Sequence, residues 1–282
     1  MYRCALSCLA WFFCGTVCLA GQSRVVENIV YGGRHERQRL DLYLPAGQFS
    51  GKFSCFVFIH GGGWRNGDKS MVRSLPVDDL NATGCAVASI NYELASRTNL
   101  CWPRNLEDCK AAVHYLREHA SEYDLDPQQF IVSGASAGGH LALMAAYTSN
   151  EKSSIPFCGV IAFFPVCDLT RYMRSFPSAR WGDPIMPESF DVNPDLYREG
   201  SPVFRAAKDV PPTLVFHGNA DQTVEWNLHS GALVDKVRQL GAEAQLVKLD
   251  GAGHSLKWGR HTQDVNTAIL RFVQEKTKVG QK

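Results

Sequence analysis

The sequence predicts an α/β fold, a single domain built on a mostly parallel, doubly wound sheet. Apolar runs of strand length alternate along the chain with segments of helical periodicity, and glycine-bearing clusters follow several of these runs. The 282 residues, 45% apolar and 20% charged, match an average globular domain. This composition excludes a largely disordered, collagen-like or multi-span membrane protein, and the length allows one large domain or two small ones.

The strands are predicted where apolar residues run without a break. Two opening strands precede a continuous apolar run, and the later runs take turns with helices. The expected strands are Val25–Tyr31, Arg39–Leu44, Phe53–Ile59, Cys85–Asn91, Phe130–Ser133, Val160–Phe164, Thr213–Phe216 and Gln245–Leu249. Continuous apolar strands are typical of a parallel sheet that helices cover on both faces.

The helices are predicted between these strands by apolar residues at helical spacing, such as Leu106, Cys109 and Val113. The expected helices are Asn105–Ala120, Ala137–Tyr147, Trp226–Leu240 and Asp264–Lys276. Residues 167–209, after the sixth strand, break the alternation because prolines and aromatic residues crowd there. We expect an irregular cap insertion, which forms either a pocket wall or a covering segment with its own small core.

The first 20 residues have the pattern of a secretory signal peptide. Arg3 precedes an uncharged apolar stretch, Ala5–Ala20, which is shorter than the roughly 20 apolar residues of a membrane anchor. We therefore expect cleavage after Ala20, a mature domain of residues 21–282, and secretion, to the periplasm if the source is bacterial. Loss of Arg3 takes the net charge from +1 to zero, so we expect no nucleic-acid partner and no stable membrane insertion.

The mature chain keeps six cysteines, and an exported setting permits disulfide bonds. These are Cys55, Cys85, Cys101, Cys109, Cys158 and Cys167. Cys101 with Cys109 is the easiest local bridge, whereas a strand between Cys158 and Cys167 separates that pair by roughly 25 Å. Buried free thiols stay an alternative for Cys55, Cys85 and Cys158. Asn81-Ala82-Thr83 is a glycosylation sequon only if its loop is exposed in a eukaryotic protein.

A serine nucleophile is predicted by Gly134-Ala135-Ser136-Ala137-Gly138, which lies between a predicted strand and a predicted helix. A serine on a sharp strand-to-helix turn adopts a strained backbone, and small residues two positions away let strand and helix approach. The simpler interpretation of Ser136 is an ordinary helix N-cap. A hydroxyl is a weak nucleophile, so this hypothesis requires a base and an acid elsewhere in the chain.

The acid and the base are predicted from their places after the last two strands. Asp221 follows Thr213–Phe216 and His254 follows Gln245–Leu249, each on a glycine-bearing loop at the carboxyl edge of the sheet. Asp168 is the rival acid because it follows the sixth strand, but its loop opens the insertion.

An oxyanion hole is predicted where three glycines follow His60. The N–H groups of Gly62 and Gly63, with that of Ala137 after the nucleophile, would face a developing oxyanion. His60 is then a structural residue, and His140 and His217 are expected to support the active-site loops. Surface or helix-face positions are expected for the remaining histidines, which are His35, His114, His119, His229 and His261.

These segments together resemble the α/β-hydrolases of the hormone-sensitive-lipase and feruloyl or acetyl-xylan esterase-like (BD-FAE-like) group. The likeness runs from Arg39 to the last helix and rests on four motifs, His60–Trp64, Gly134–His140, His217–Asp221 and Gly251–His254. The resemblance implies an α/β-hydrolase fold without cofactor or metal. It also implies two sets of site residues: a triad of Ser136, Asp221 and His254, and an oxyanion hole of Gly62, Gly63 and Ala137. Relatives often have Asn-Tyr-Arg-Leu where this chain has Asn91-Tyr92-Glu93-Leu94, so we expect a different local pocket polarity.

The expected function is that of a secreted serine carboxylic-ester hydrolase that works through an acyl-enzyme. Only about 39 residues separate Ala20 from His60 and they are predicted as strands, which leaves no room for a helical N-terminal cap. An open cleft favours short acyl chains or esters on bulky molecules, such as polysaccharide-linked acetyl or feruloyl groups. Two alternatives stay open: an amide hydrolase or peptidase of arylformamidase-like or prolyl-oligopeptidase-like type with the same triad, and a non-catalytic binding protein on the same fold.

Overall fold

The computed structural model describes residues 24–47, 49, 51–96, 98–148, 156–175 and 185–277. The predicted signal peptide, residues 1–20, lies outside these residues. The chain forms an eight-stranded sheet in the order β1-β2-β4-β3-β5-β6-β7-β8. Its strands are β1 (Arg24–Val30), β2 (Arg39–Leu44), β3 (Phe53–Ile59), β4 (Cys85–Ile90), β5 (Leu125–Ala135), β6 (Gly159–Phe163), β7 (Thr213–Gly218) and β8 (Ala244–Leu249).

The sheet is mostly parallel. β2 pairs antiparallel with both β1 and β4, and the pairs from β4–β3 through to β7–β8 are parallel. The side chains of β4 and β6 are buried along their whole length, as expected for strands covered on both faces. β5 begins at Leu125, five residues before the predicted start at Phe130. The prediction was too short because polar residues between these two positions interrupt the apolar run.

Helices cover both faces of this sheet. They are α1 (Val77–Ala82), α2 (Arg104–Glu118), α3 (Ala137–Tyr147), α4 (Leu169–Ser175), α5 (Pro194–Glu199), α6 (Pro202–Arg205), α7 (Ala232–Gln239) and α8 (Thr262–Lys276). One core holds the apolar faces of α2, α3 and α7, and the other holds those of α1 and α8. The predicted helix Trp226–Leu240 begins instead as a π-helical turn, Asn227–Gly231, before α7. In the part of the chain described here, no helix is both long and apolar enough to cross a bilayer.

The insertion after β6 holds α4, α5 and α6 in its described residues. Tyr172 and Tyr197 are buried in it, and both join the same apolar cluster as α2 and α3. Phe190 packs edge-on against Tyr197, with ring centroids 5.3 Å apart. The insertion therefore has no separate small core in these residues, and it continues the main core toward the carboxyl edge of the sheet.

The six cysteines among the described residues are free thiols in the structure. The expected Cys101–Cys109 disulfide is not formed. Cys101 Sγ instead accepts a hydrogen bond from Asn105 Nδ2 at 3.1 Å, and Cys109 lies on the buried face of α2, packed in the apolar cluster. Cys55 and Cys85 are likewise buried, and burial raises the pKa of Cys85 to about 12. Such thiols behave as small apolar side chains.

Asn81 of the sequon is buried inside the fold rather than displayed on a loop. Its Nδ2 donates to the carbonyl oxygens of Cys85 at 2.9 Å and Tyr43 at 3.2 Å. A glycan attached to this nitrogen would displace both hydrogen bonds, so the folded domain does not offer Asn81 as a glycosylation site.

Candidate active site

Ser136 lies on the sharp turn between β5, which ends at Ala135, and α3, which begins at Ala137. Its φ of 54° is in the left-handed region that non-glycine residues rarely adopt. A Cβ on Gly134 would collide with the carbonyl oxygen of Gly138, so strand and helix cross in direct backbone contact. Ser136 makes no side-chain capping bond to α3, which argues against the interpretation as an ordinary N-cap.

The structure brings Ser136, His254 and Asp221 into one chain of hydrogen bonds. His254 Nε2 lies 2.8 Å from Ser136 Oγ, and His254 Nδ1 lies 2.6 Å from Asp221 Oδ2. Asp221 follows β7 and His254 follows β8, so parallel neighbours deliver both side chains to the same edge. The carboxylate can only accept, so Nδ1 of His254 carries a proton and Nε2 is free to accept from the hydroxyl.

Asp221 is held ionised by the donors around it. Burial alone would raise the pKa of Asp221, but hydrogen bonds from His217, His254 and the Val224 N–H hold it well below its ordinary value. Asp221 Oδ1 accepts from the N–H groups of Thr223 at 2.8 Å and Val224 at 2.9 Å. A carboxylate satisfied in this way keeps its negative charge against the imidazole of His254.

His217 contacts the same carboxylate oxygen as His254. Its fully buried Nε2 lies 3.0 Å from Asp221 Oδ2 and 2.9 Å from the Val224 carbonyl oxygen. Because that carbonyl only accepts, Nε2 carries the proton, and Ser230 Oγ donates to Nδ1 at 2.6 Å. His217 thus supports the loop of Asp221 through a direct hydrogen bond to the carboxylate. Ser230, its second partner, is not predicted by the sequence.

The rival acid, Asp168, is the N-terminal cap of α4. Its Oδ1 accepts from the N–H groups of Thr170 at 2.9 Å and Arg171 at 3.2 Å, and its Oδ2 pairs with Arg171 Nε. The prediction of a surface or helix-face place for His229 is wrong, because its ring is buried and Nδ1 accepts from the N–H groups of Cys167 and Asp168. The π-helical turn, which the 3.6-residue pattern does not reveal, turns His229 inward.

The glycines after His60 form a loop beside the nucleophile. A Cβ on Gly61 would lie 2.8 Å from the Ala135 carbonyl oxygen and 3.4 Å from Ser136 Cβ, so this backbone touches the turn at Ser136. Gly62 and Gly63 have φ values of 117° and 61°, and a Cβ on Gly63 would meet open space. The N–H of Ala137 is at the first turn of α3, where backbone donors have no partner inside the helix. The backbone at Gly61 and the Ala137 N–H therefore both lie next to Ser136.

His60 is a structural residue in this loop. Its ring is buried and stacked on Tyr92 with centroids 4.4 Å apart, and its Nδ1 donates to the Gly61 carbonyl oxygen at 2.7 Å. Burial lowers the pKa of His60 to about 4, so the ring is neutral and Nε2 can accept from Arg37 Nη2 at 3.3 Å. Arg37 also donates to the carbonyl oxygens of Gly67 and Tyr92 and so braces the loop.

Residues 40–237 match the BD-FAE family model. The chain belongs to the BD-FAE family. It is 27% identical over 266 residues to esterase LipC of Mycobacterium tuberculosis, a match covering 88% of this chain and 64% of LipC. The chain spans about half to two thirds of the length of the first curated relatives it matches.

Solved structures show that this BD-FAE chain has the α/β-hydrolase fold. A truncated carbohydrate esterase from gut microbiota superposes with a TM-score of 0.76 at 26% identity, over 90% of this chain and 96% of that one. The butyrate-bound esterase Est2 of the planctomycete Thermogutta terrifontis superposes with a TM-score of 0.72 at 25% identity, over 94% and 97% of the two chains.

Glu93 is the point where this BD-FAE chain departs from the family pattern noted above. Its carboxylate is buried and pairs with Arg104 at 2.9 Å, and it accepts from Asn99 Nδ2 at 2.8 Å. Burial would raise the pKa of Glu93, but the hydrogen bonds from Arg104 and Asn99 lower it below its ordinary value. The negative charge is therefore balanced locally at the start of α2.

Proposed function

We propose that this protein is a serine carboxylic-ester hydrolase that acts through an acyl-enzyme, with Ser136 as nucleophile, His254 as general base and Asp221 as the carboxylate that orients His254. The observation that carries the proposal is the position of His254, whose two ring nitrogens are within hydrogen-bonding distance of Ser136 Oγ and Asp221 Oδ2. The esterases among its relatives support the same reaction class.

In the proposed reaction, His254 Nε2 takes the proton of Ser136 Oγ as that oxygen attacks the ester carbonyl carbon. The carbonyl oxygen becomes an oxyanion, which the N–H groups of Gly62, Gly63 and Ala137 stabilise. His254 then returns the proton to the departing alcohol and leaves an acyl-enzyme. Water, deprotonated by His254, attacks the acyl carbon, and collapse of the second tetrahedral intermediate returns the proton to Ser136 and releases the acid.

Short acyl groups, or acetyl and feruloyl groups carried on polysaccharides, are the proposed substrates. The described residues before β3 form the strands β1 and β2, which lie at one edge of the sheet, and this favours an accessible cleft. Two similar solved structures, a carbohydrate esterase and an esterase with bound butyrate, favour the same substrates. We also propose secretion, which sequencing of the mature N-terminus would test by giving Gly21 as the first residue.

The test is labelling with a fluorophosphonate together with hydrolysis of p-nitrophenyl acetate. We expect a single adduct on Ser136, and Ser136→Ala should lose the adduct and at least about 10³-fold in kcat. Ser121→Ala, a change at an exposed serine, is the matched control and should behave like wild type. Failure of the wild-type chain to react, or an undiminished adduct on Ser136→Ala, would contradict the proposal.

A second substrate separates an esterase from an amide hydrolase. An acetanilide with the same p-nitrophenyl group differs from the ester only in its leaving atom. We expect the ester to be turned over at least about 10³-fold faster, since an anilide nitrogen needs stronger protonation as it departs. A faster anilide reaction would favour the amidase alternative. A panel of acetyl, butyryl, longer acyl and feruloyl esters then measures the acyl preference.

A further inference from the structure

The loop that carries the oxyanion donors has an unfavourable backbone. Gly62, Gly63 and Trp64 have consecutive positive φ values of 117°, 61° and 61°. Glycine adopts this region freely, but Trp64 has a Cβ and pays a conformational penalty there. A left-handed tryptophan persists only where its surroundings hold it. The contacts of Trp64 therefore decide where the N–H groups of Gly62 and Gly63 point.

Trp64 is held by its backbone and by its ring. Its carbonyl oxygen accepts from the Ala95 N–H at 2.8 Å, and its indole Nε1 donates to His140 Nδ1 at 3.2 Å. The indole packs edge-on against His140 at 5.3 Å and against Tyr172 of α4 at 5.9 Å. Only 4% of Trp64 is exposed, so the indole N–H has no water to replace the imidazole.

His140 extends this contact to the insertion. It lies on the first turn of α3, four residues after Ser136, and is fully buried. Its Nε2 donates to the Gly200 carbonyl oxygen at 2.7 Å, at the end of α5. A carbonyl only accepts, so Nε2 carries the proton and Nδ1 keeps the lone pair that the indole needs. Burial lowers the pKa of His140 to about 4, which keeps the ring in this neutral form near pH 7.

We propose that the bridge from Trp64 through His140 to the Gly200 carbonyl positions the oxyanion loop, so that the cap insertion takes part in catalysis without touching the substrate. The inference rests on the proposed function. Trp64 and His140 are positioning residues in it, since they act through the N–H groups of Gly62 and Gly63. Oxyanion donors work only at about 2.7–3.1 Å from the oxygen, so a loop that relaxes loses stabilisation of the transition state.

The test compares Trp64→Phe with Trp102→Phe. Trp64→Phe keeps an aromatic ring and removes the indole N–H. Trp102 packs against the same imidazole at 5.6 Å, so Trp102→Phe is the same chemical change on the same neighbour. With p-nitrophenyl acetate we expect Trp64→Phe to lower kcat about tenfold with KM nearly unchanged, less than the roughly 10²–10³-fold loss on removal of a donor itself. Trp102→Phe leaves both hydrogen bonds of the bridge in place, so its kcat should stay within about twofold of wild type.

A trifluoromethyl ketone supplies a readout that a loss of folded protein would not mimic. Ser136 Oγ adds to its carbonyl carbon, the serine proton passes to His254, and the carbonyl oxygen becomes the oxyanion. We expect the affinity of folded Trp64→Phe for this ketone to fall by the same factor as kcat. The acid limb of the pH–rate profile should not move, because His254 and Asp221 are untouched.

A double-mutant cycle decides whether Trp64 acts through His140. His140→Leu removes both hydrogen bonds of the bridge and should lower kcat at least as much as Trp64→Phe does. The double variant should be no slower than His140→Leu alone, since the indole then has no partner left to lose. Additive effects, or a Trp64→Phe variant as active as Trp102→Phe, would overturn the inference. An inactive wild type without a fluorophosphonate adduct would instead overturn the proposed function.

Discussion

Asp221 keeps its charge in a buried place because backbone and imidazole donors surround it. The pKa of Asp221 is lower in the folded chain than in the unfolded chain, so its ionised carboxylate stabilises the fold above the ordinary carboxylate pKa. This stabilisation is lost as the pH falls through the lowered pKa of the folded chain. We expect Asp221→Asn to flatten this dependence, with wild type losing about 2 kcal/mol more unfolding free energy than the variant in strong acid. Urea unfolding from pH 7 downward measures it, and equal acid slopes for the two proteins would refute the expectation.

Ser230 matters because it is the donor that completes His217. Ser230→Ala leaves Nδ1 of a fully buried imidazole without a partner, which should cost about 1–3 kcal/mol of unfolding free energy. Urea unfolding at pH 7 measures the loss, with the exposed Ser121→Ala as control. If the two variants are equally stable, the hydrogen bond from Ser230 does not hold His217 in place.

The close approach of α3 to the end of β3 depends on glycine at Gly138, where a Cβ would collide with the carbonyl oxygens of Ile59 and His60. We expect Gly138→Ala to destabilise the fold by at least about 1–3 kcal/mol, since backbone must move to admit the methyl group. Gly33→Ala is the matched control, because its Cβ would meet nothing within 4 Å. Thermal unfolding compares the two, and equal midpoints would mean that strand and helix are not in tight contact.

The same elements show what the sequence could predict. A strand, a glycine-flanked serine and a helix leave a local signature, so the turn at Ser136 and the loops bearing Asp221 and His254 could be located from residue order alone. The partners of those loops could not. Ser230 reaches His217 from a π-helical turn, which also directs His229 to the backbone of Cys167 and Asp168. Arg37 reaches His60 from a distant turn, and none of these contacts has a pattern along the chain. The short helix α1 was not predicted, since six residues show too little periodicity.

The eight-stranded sheet was predictable as a whole because its buried strands are continuous apolar runs, and the carboxyl ends of β3, β5, β7 and β8 bring the site together. The disulfide is predicted because of the inferred export, but spacing along the chain does not say which thiols become buried or which partner each one takes. A domain of this size buries enough apolar surface to be stable without disulfide bonds.

The state of the thiols therefore provides a test of the entire fold. Burial raises the pKa of Cys101 to about 12 and also raises those of Cys109 and Cys167, whereas Cys158 is half-buried near the surface. In native protein we expect Ellman's reagent to react first with Cys158, and Cys158→Ser to remove that fast phase. After denaturation without reductant, protein that begins at Gly21 should show all six thiols, and its unfolding midpoint should not depend on dithiothreitol. Only four reactive thiols, with a midpoint lowered by reductant, would mean that Cys101 and Cys109 are bonded after all.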